Sequence, residues 1–137
     1  GCTVDAGNCR YPTFFEKFSN LDNWSSKGWN ISSSHNCPSP PCVAFNGSGN
    51  KKKIPTLSAD LYAYKGQKLT FVHYTDYLSS VKLYLNDLLV WESNKSKESN
   101  AYLYPDFEIL QTGILNVRFE GSPNNFYRGY IDDLRIK

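Results

Sequence analysis

The chain has 137 residues, of which 40% are apolar and 15% aromatic, and its formal net charge is +2. This length is enough for one domain with a sizeable core. The small net charge argues against a nucleic acid or an anionic membrane as the partner. No apolar run reaches the roughly 18 residues of a membrane span, and the high aromatic content favours β-strands.

The N-terminal residues 1–12 are predicted to form an irregular, disulfide-held lead-in, or the tail of a preceding small module. The chain starts at Gly1 beside a cysteine, so we expect a piece of a longer precursor. Residues 13–137 are then predicted to form the folded domain.

All four cysteines lie in the first third of the chain, as two close pairs: Cys2 with Cys9, and Cys37 with Cys42. An even number of cysteines is typical of extracellular proteins with disulfide bonds. We expect these two local pairings, while a pairing such as Cys9–Cys37 stays open because spacing alone does not decide connectivity.

Four Asn-x-Ser sequences lie in or beside polar turns, where a glycan has room, and they are candidate glycosylation sites. Their asparagines are Asn23, Asn30, Asn46 and Asn94. Together with the cysteines they predict a secreted or cell-surface glycoprotein.

Short stretches of alternating or continuous apolar residues, separated by turn residues, recur along the chain and predict strands. The predicted strands cover 14–18, 30–32, 42–45, 54–61, 68–75, 81–85, 88–92, 102–109, 115–120 and 126–136. Asn86-Asp87 is a hairpin turn between two of them. Roughly nine or ten strands and no substantial helix predict an all-β fold, an antiparallel β-sandwich of the jelly-roll type.

Two carboxylates share the parity of apolar residues in the predicted strands: Glu16 in the first strand and Asp132 in the last. A carboxylate on a core face is costly unless a cation or several donors meet it. The alternatives are a cation between the two, an ion pair with an arginine such as Arg118 or Arg128, a shared proton, or a different strand register.

Both ends of the chain resemble MAM domains. LNVRFEG at 115–121 and FYRGYIDDLRI at 126–136 resemble their two closing strands, and FFEKF at 14–18, followed by Trp24 and Trp29, resembles their opening. Reelin repeats and carbohydrate-binding modules of the galactose-binding jelly-roll type have similar endings.

This resemblance implies that the first and last strands are neighbours in one sheet of a jelly roll. It also implies a structural calcium ion bound by Glu16 and Asp132, with Asp22 and Asn46 as possible further ligands. Calcium takes 6–8 oxygen ligands, many of them from turns and backbone carbonyls.

Several aromatic residues are candidates for a surface on which sugars stack. Tyr62 and Tyr64 share one parity beside the Lys65-Gly66 turn, and Trp91 lies near the end of a strand. We name these three as candidate ligand-binding residues, although large aromatics more often fill the core of a sandwich. The lysine run at 51–53 is interpreted as a solvated edge that discourages strand pairing rather than as an anion-binding patch.

Catalytic motifs such as G-x-S-x-G or a glycine-rich phosphate loop are absent from the sequence. His35 and His73 are expected to be structural or exposed. The sequence therefore predicts a non-catalytic extracellular module for recognition, adhesion or assembly, within a larger glycoprotein. The alternative is a carbohydrate-binding, lectin-like module. The expected partner is an extracellular protein or a glycan, with self-association possible and with no nucleic acid or membrane insertion.

Overall fold

The computed structural model describes residues 3–5, 8–47, 49–50, 52–75, 79–93, 102–123 and 128–137. These residues form fourteen strands and no helix. Among them there is therefore no helix that could cross a membrane. The strands are β1 (Thr3–Asp5), β2 (Asn8–Arg10), β3 (Phe14–Glu16), β4 (Ser25–Lys27), β5 (Trp29–Ser32), β6 (Cys42–Asn46), β7 (Thr56–Ala63), β8 (Lys68–Thr75), β9 (Val81–Leu85), β10 (Leu88–Glu92), β11 (Tyr102–Leu103), β12 (Asp106–Glu108), β13 (Gly113–Gly121) and β14 (Arg128–Ile136).

Two antiparallel sheets make up the sandwich. The five-stranded sheet has the order β10-β9-β13-β7-β4, and the seven-stranded sheet has the order β11-β8-β14-β6-β5, with β12 also on β8 and β3 also on β14. This confirms the predicted all-β sandwich. There are more strands than expected partly because the stretch 102–109 divides into β11 and β12 at Pro105, which has no N–H to donate.

The lead-in is more regular than predicted. β1 and β2 form a two-stranded antiparallel sheet of their own, in which Val4 lies opposite Cys9. That residues 1–12 belong to a preceding module stays a prediction.

The core lies between the two sheets and receives every second residue of the long strands. On β13 these are Leu115, Val117 and Phe119, all buried, as the alternation in the sequence predicts. Aromatic rings fill the centre: Trp29 lies 4.8 Å from Phe45, measured between ring centroids. The core therefore uses the aromatic residues that make this composition unusual.

Phe45 is held between a glycine of the facing sheet, Gly121 on β13, and a glycine of its own sheet, Gly129 on the neighbouring strand β14. A Cβ added at Gly121 would lie 2.6 Å from the Phe45 ring, and a Cβ added at Gly129 would also contact this ring closely. Only glycine leaves room for the ring at these two positions, so both are required by packing.

The hairpin between β9 and β10 turns at Asn86 and Asp87, whose φ angles of 50° and 65° are both positive. Two positive φ angles are required at the centre of a type I′ turn, which suits the right-handed twist of the flanking strands. The predicted hairpin turn is confirmed.

The last strand contains a bulge that reverses its faces. Along the pairing of β14 with β8, Asp132 lies opposite Val72 and Arg135 opposite Thr70, so β14 carries one extra residue. Asp133 takes a left-handed φ of 48° there. Beyond the bulge Leu134 faces the core, whereas Asp132 before it faces outwards. The prediction that Asp132 shares a face with Leu134 and Ile136 is therefore wrong.

Candidate functional site

Asp132 is buried beneath a loop closed by a disulfide bond. Cys37 and Cys42 are joined, as predicted, and both pack against Tyr130 on the outer side of the seven-stranded sheet. The backbone N–H of Ser39, within this loop, donates to Asp132 Oδ2 at 2.9 Å. The N–H of Asp133 donates to Oδ1 at 2.8 Å. Backbone donors of the loop and the bulge thus meet this carboxylate.

The environment of Asp132 favours its protonated form. Burial raises the pKa of Asp132 from 3.8 to about 6, and the charge of Asp133 acts in the same direction. The hydrogen bonds from the N–H groups of Asp133 and Ser39 act in the opposite direction.

Glu16 lies on the other face of the same sheet. Glu16 on β3 lies opposite Leu134 on β14. This confirms that these two strands, predicted as the first and last of the domain, are neighbours in one sheet. Oε1 of Glu16 accepts a hydrogen bond of 2.8 Å from the Trp24 indole, and its Oε2 accepts one of 3.1 Å from the Phe18 N–H. Glu16 therefore anchors the segment that leads from β3 to β4.

The arrangement does not fit a calcium ion shared by Glu16 and Asp132. The two side chains point to opposite faces of the sheet, and each of their four carboxylate oxygens already accepts an N–H. Nor do the described residues contain three grouped His, Cys, Asp or Glu side chains that could hold a metal. Asp22 and Asn46 are both exposed. That the chain binds a structural calcium ion stays a prediction.

The ion-pair alternative is not realised by Arg118. Its Nη1 lies 2.6 Å from Asp87, its Nε lies 3.1 Å from Glu120, and its guanidinium lies 4.3 Å from the centre of the Tyr84 ring. The hydrogen bond to Asp87 raises the pKa of Arg118 further, although partial burial opposes this. Arg118 is thus held flat on the outer face of the five-stranded sheet.

Tyr62 and Tyr64 lie together at the surface, as their shared parity indicated. Their ring centroids are 5.1 Å apart, and Tyr11 stacks on Tyr64 at 4.3 Å. Tyr62 is 56% exposed, the most of the three. The Gln67 side chain accepts from the Tyr64 N–H and donates to the Pro12 carbonyl, which ties the lead-in to this cluster. Their role in ligand binding stays a prediction.

Trp91 is not part of this surface. Its ring is partly buried and packs against the core, 5.4 Å from Phe71 and 5.3 Å from His73 between ring centroids. The pairing of β10 with β9 contains a bulge between Leu89 and Trp91. After this bulge, Trp91 lies opposite the buried Leu83. Trp24 and Trp29, by contrast, are buried. A role for Trp91 in ligand binding stays a prediction.

Beside Tyr62 the structure contains a polar groove that the sequence analysis missed. It has a volume of about 280 Å³. It opens at the start of β4, where β7 extends beyond its pairing with β4. Its lining residues are Asp22, Asn23, Trp24, Ser25, Ser58, Ala59, Asp60 and Asn116. Asn116 Nδ2 donates to Asp60 Oδ1 at 2.9 Å, which orients both groups. We refer to it as the polar groove.

The strand pattern indicates which residues around the polar groove face outwards, but not that they meet. Ser58, Asp60 and Tyr62 alternate with the core residues of β7, and Asn116 and Arg118 alternate with those of β13. This alternation gives the outer face of each strand. Only the pairing of β7 with β13, which places Asn116 opposite Asp60, shows that these side chains meet.

Three of the four predicted glycosylation sites, Asn23, Asn30 and Asn46, are exposed. Asn94 lies outside the described residues. The predicted Cys2–Cys9 disulfide also stays a prediction, because Cys2 lies outside the described residues and Cys9 is described in its backbone alone.

His73 has the features of a structural residue. It is fully buried, and its Nδ1 lies 3.0 Å from the Tyr130 carbonyl oxygen. Burial lowers its pKa from 6.5 to about 4, although the hydrogen bond to Tyr130 acts against this. His73 is therefore neutral at neutral pH, and no solvent reaches it.

No protein-family model and no curated protein matches the chain by sequence. Solved structures match it by fold. A cleaved adhesin domain of Lys-gingipain from Porphyromonas gingivalis aligns with a TM-score of 0.68 and 19% identity, over 92% of this chain and 98% of that one. A carbohydrate-binding module of family 61, in complex with β-1,4-galactotriose, aligns with a TM-score of 0.62 and 14% identity, over 85% and 89% of the two chains.

A carbohydrate-binding module of family 29 aligns with a TM-score of 0.59 and 17% identity, over 91% of this chain and 88% of that one. At these identities the likeness establishes the sandwich fold. Carbohydrate-binding modules are also one of the three kinds of domain that the two ends of the chain resemble in sequence. The resemblance to MAM domains and reelin repeats is not shown by these structures and stays a prediction.

Proposed function

We propose that this chain is a non-catalytic carbohydrate-binding module and that the polar groove holds its sugar. The observation that carries the proposal is the Asp60–Asn116 pair, fixed by a hydrogen bond of 2.9 Å in a groove that also exposes serine hydroxyls. Oriented carboxylate, amide and hydroxyl groups match the hydroxyls of a sugar, which both donate and accept hydrogen bonds.

The aromatic surface at one end of the groove supports this assignment. Tyr62 follows Asp60 by two residues on the same face of β7, and its ring is more than half exposed. An exposed ring offers an apolar face on which the C–H face of a sugar can stack. A groove of hydrogen-bonding groups beside such a ring is able to orient a sugar and to bury its apolar side.

The structural comparisons include carbohydrate-binding modules, which supports this choice. Two of the three structures described above are carbohydrate-binding modules. Variants of the family 29 module, with a tyrosine, a lysine, an aspartate or an arginine replaced by alanine, were solved to probe ligand recognition.

The adhesion hypothesis draws on the adhesin domain, which aligns over nearly its whole length. Fold is shared equally by both hypotheses, so it does not separate them. The disulfide between Cys37 and Cys42 supports an extracellular location for either function.

The test is a binding screen of the purified chain against an array of neutral oligosaccharides, followed by calorimetric titration of the strongest ligand. We expect Tyr62→Ala to weaken that ligand about fivefold or more through loss of the stacking surface. Asp60→Asn removes a charged acceptor at nearly constant shape, and we expect a loss of about tenfold or more.

Tyr104→Ala is the matched control, because Tyr104 is 73% exposed and lies between β11 and β12 on the other sheet. It should bind like the parent chain. Absence of binding to every sugar, or an equal loss in Tyr104→Ala and Tyr62→Ala, would overturn the proposal. Concentration-dependent self-association without sugar binding would favour adhesion instead.

A further inference from the structure

A second groove, lined by lysines, lies beside the start of β7. It has a volume of about 550 Å³ and lies between the end of β4 and the segment that leads into β7. Its lining residues are Lys27, Gly28, Asn46, Lys52, Lys53, Ile54, Pro55 and Thr56. We refer to it as the basic groove.

The walls of the basic groove are fixed by backbone contacts. Lys27 lies opposite Thr56 in the sheet, and Gly28 packs so closely on Pro55 that an added Cβ would lie 3.2 Å from the proline Cβ. On the other side, the N–H groups of Lys52 and Lys53 donate to the side chain and the carbonyl of Asn50, each at 3.0 Å. Three lysines therefore surround a defined space.

The charge in this groove is not balanced by its own lining. None of the described lining residues is acidic. Glu120, which lies opposite Thr56 on β13, accepts a hydrogen bond from Arg118. Lys82, the next basic residue across the sheet, pairs with Glu92. An anion entering the basic groove would thus meet lysines rather than carboxylates.

The basic groove continues the line of the polar groove. Ser25 lies opposite Ser58 in the polar groove, and two residues further along the same strand pair Lys27 lies opposite Thr56 in the basic groove. From Tyr62 to Thr56 the outer face of β7 covers six residue steps, or about 20 Å. One extended ligand can therefore lie along β7 and reach both grooves.

The charge along the outer face of β7 changes from negative in the polar groove to positive in the basic groove. The polar groove carries the carboxylates of Asp22 and Asp60, whereas the basic groove carries Lys27, Lys52 and Lys53. A polymer with an acid on every sugar would meet repulsion at Asp60. A chain that is neutral along most of its length and acidic at one end would not.

We infer that the ligand is an oligosaccharide with one acidic sugar, carboxylated or sulfated, at one end, and that this sugar binds in the basic groove. The inference rests on the proposed function, because the neutral part of the ligand occupies the polar groove. The lysine side chains supply the positive charge for the acidic group.

The test uses an array of matched pairs: neutral oligosaccharides, and the same oligosaccharides extended by one terminal carboxylated or sulfated sugar. The chain is produced in an oxidising bacterial compartment, so that Asn46, which lines the basic groove, carries no glycan of its own. We expect acidic members to bind about three- to tenfold more tightly than their neutral partners in 50 mM salt. This advantage should shrink in 500 mM salt, because exposed charges are screened.

The double variant Lys27→Gln/Lys53→Gln should remove the advantage of the acidic members and leave the binding of neutral members within about twofold of the parent chain. Lys137→Gln, at the far end of β14, is the control. It should change neither the binding of neutral members nor the advantage of the acidic ones. The relative strength of carboxylated and sulfated members identifies the acidic group.

Three results would count against the inference, and they separate it from the proposed function. Neutral members that bind as tightly as their acidic partners overturn the inference alone. An acidic advantage that survives in the double variant also overturns it alone. Absence of binding to every member of the array overturns both.

Discussion

Glu16 and Asp132 lie on opposite faces of the seven-stranded sheet, although both belong to strands that the sheet joins side by side. Glu16 pairs with Leu134 and reaches into the core, while Asp132 faces the disulfide-closed loop. The bulge at Asp133 separates them. Each carboxylate is therefore satisfied by N–H donors of its own, and the two serve different parts of the fold.

The bond between Glu16 and the Trp24 indole predicts a difference between two substitutions. Glu16→Ala leaves the buried indole N–H and the Phe18 N–H without an acceptor, and we expect a loss of about 2–4 kcal/mol in the free energy of unfolding. Glu16→Gln keeps one acceptor oxygen and should lose less than half of that. Urea unfolding followed by tryptophan fluorescence measures both. Equal losses would show that the charge, rather than the acceptor, matters here.

Calcium removal should not alter the melting temperature through Glu16 and Asp132. Since the two side chains cannot reach one ion, a melt in excess chelator should match one in millimolar calcium. If calcium raises the midpoint, Glu16→Gln and Asp132→Asn show whether these residues are responsible. A calcium effect abolished by each substitution alone would restore the shared site that the sequence suggested.

Two buried titrating groups should oppose each other between pH 4 and 6.5. Because the pKa of His73 falls to about 4 on folding, it contributes stability above pH 6.5 that is lost as the pH falls towards 4. Because the pKa of Asp132 rises to about 6, it contributes stability below pH 3.8 that is lost as the pH rises through 6. As far as these two groups decide it, the free energy of unfolding should change little across this window.

Single substitutions should reveal how each group alone changes the free energy of unfolding with pH. In Asp132→Asn, where Asp132 no longer opposes the effect of His73, stability should increase with pH from 4 to 6.5, by up to about 3 kcal/mol. In His73→Leu, where Asp132 remains, stability should decrease as the pH rises from 4 to 6. Urea midpoints at half-unit pH steps give both slopes, and slopes of the same sign in the two variants would contradict this account.

The packing of Phe45 against Gly129 predicts a severe effect of one added methyl group. Gly129→Ala places a Cβ in close contact with the fully buried Phe45 ring, which Trp29 also confines. We expect a loss of about 1–3 kcal/mol or more in the free energy of unfolding. The double variant Gly129→Ala/Phe45→Leu should cost less than the sum of its single substitutions, because the smaller side chain frees the space. Strict additivity would mean that the ring is not the obstacle.

Local pattern determined much of the fold. Alternation over 68–75 and 81–92, and the Asn86-Asp87 turn, specified strands and a hairpin, because each depends on side chains and φ angles of neighbouring residues. The close spacing of Cys37 and Cys42 around a proline-rich loop favoured the bond that the structure contains, although spacing alone left a pairing such as Cys9–Cys37 open. These features need no knowledge of distant parts of the chain.

Tertiary structure alone decided where side chains meet. The sequence showed two carboxylates with apolar neighbours, but the left-handed Asp133 reverses the face of β14, and parity counted across a bulge fails. It showed Trp91 as a candidate for the surface, but only the pairing of β10 with β9 shows that its ring packs, partly buried, against Phe71 and His73. The polar and basic grooves arise from the pairing of β4 and β13 with β7, a long-range register that no single stretch of sequence contains.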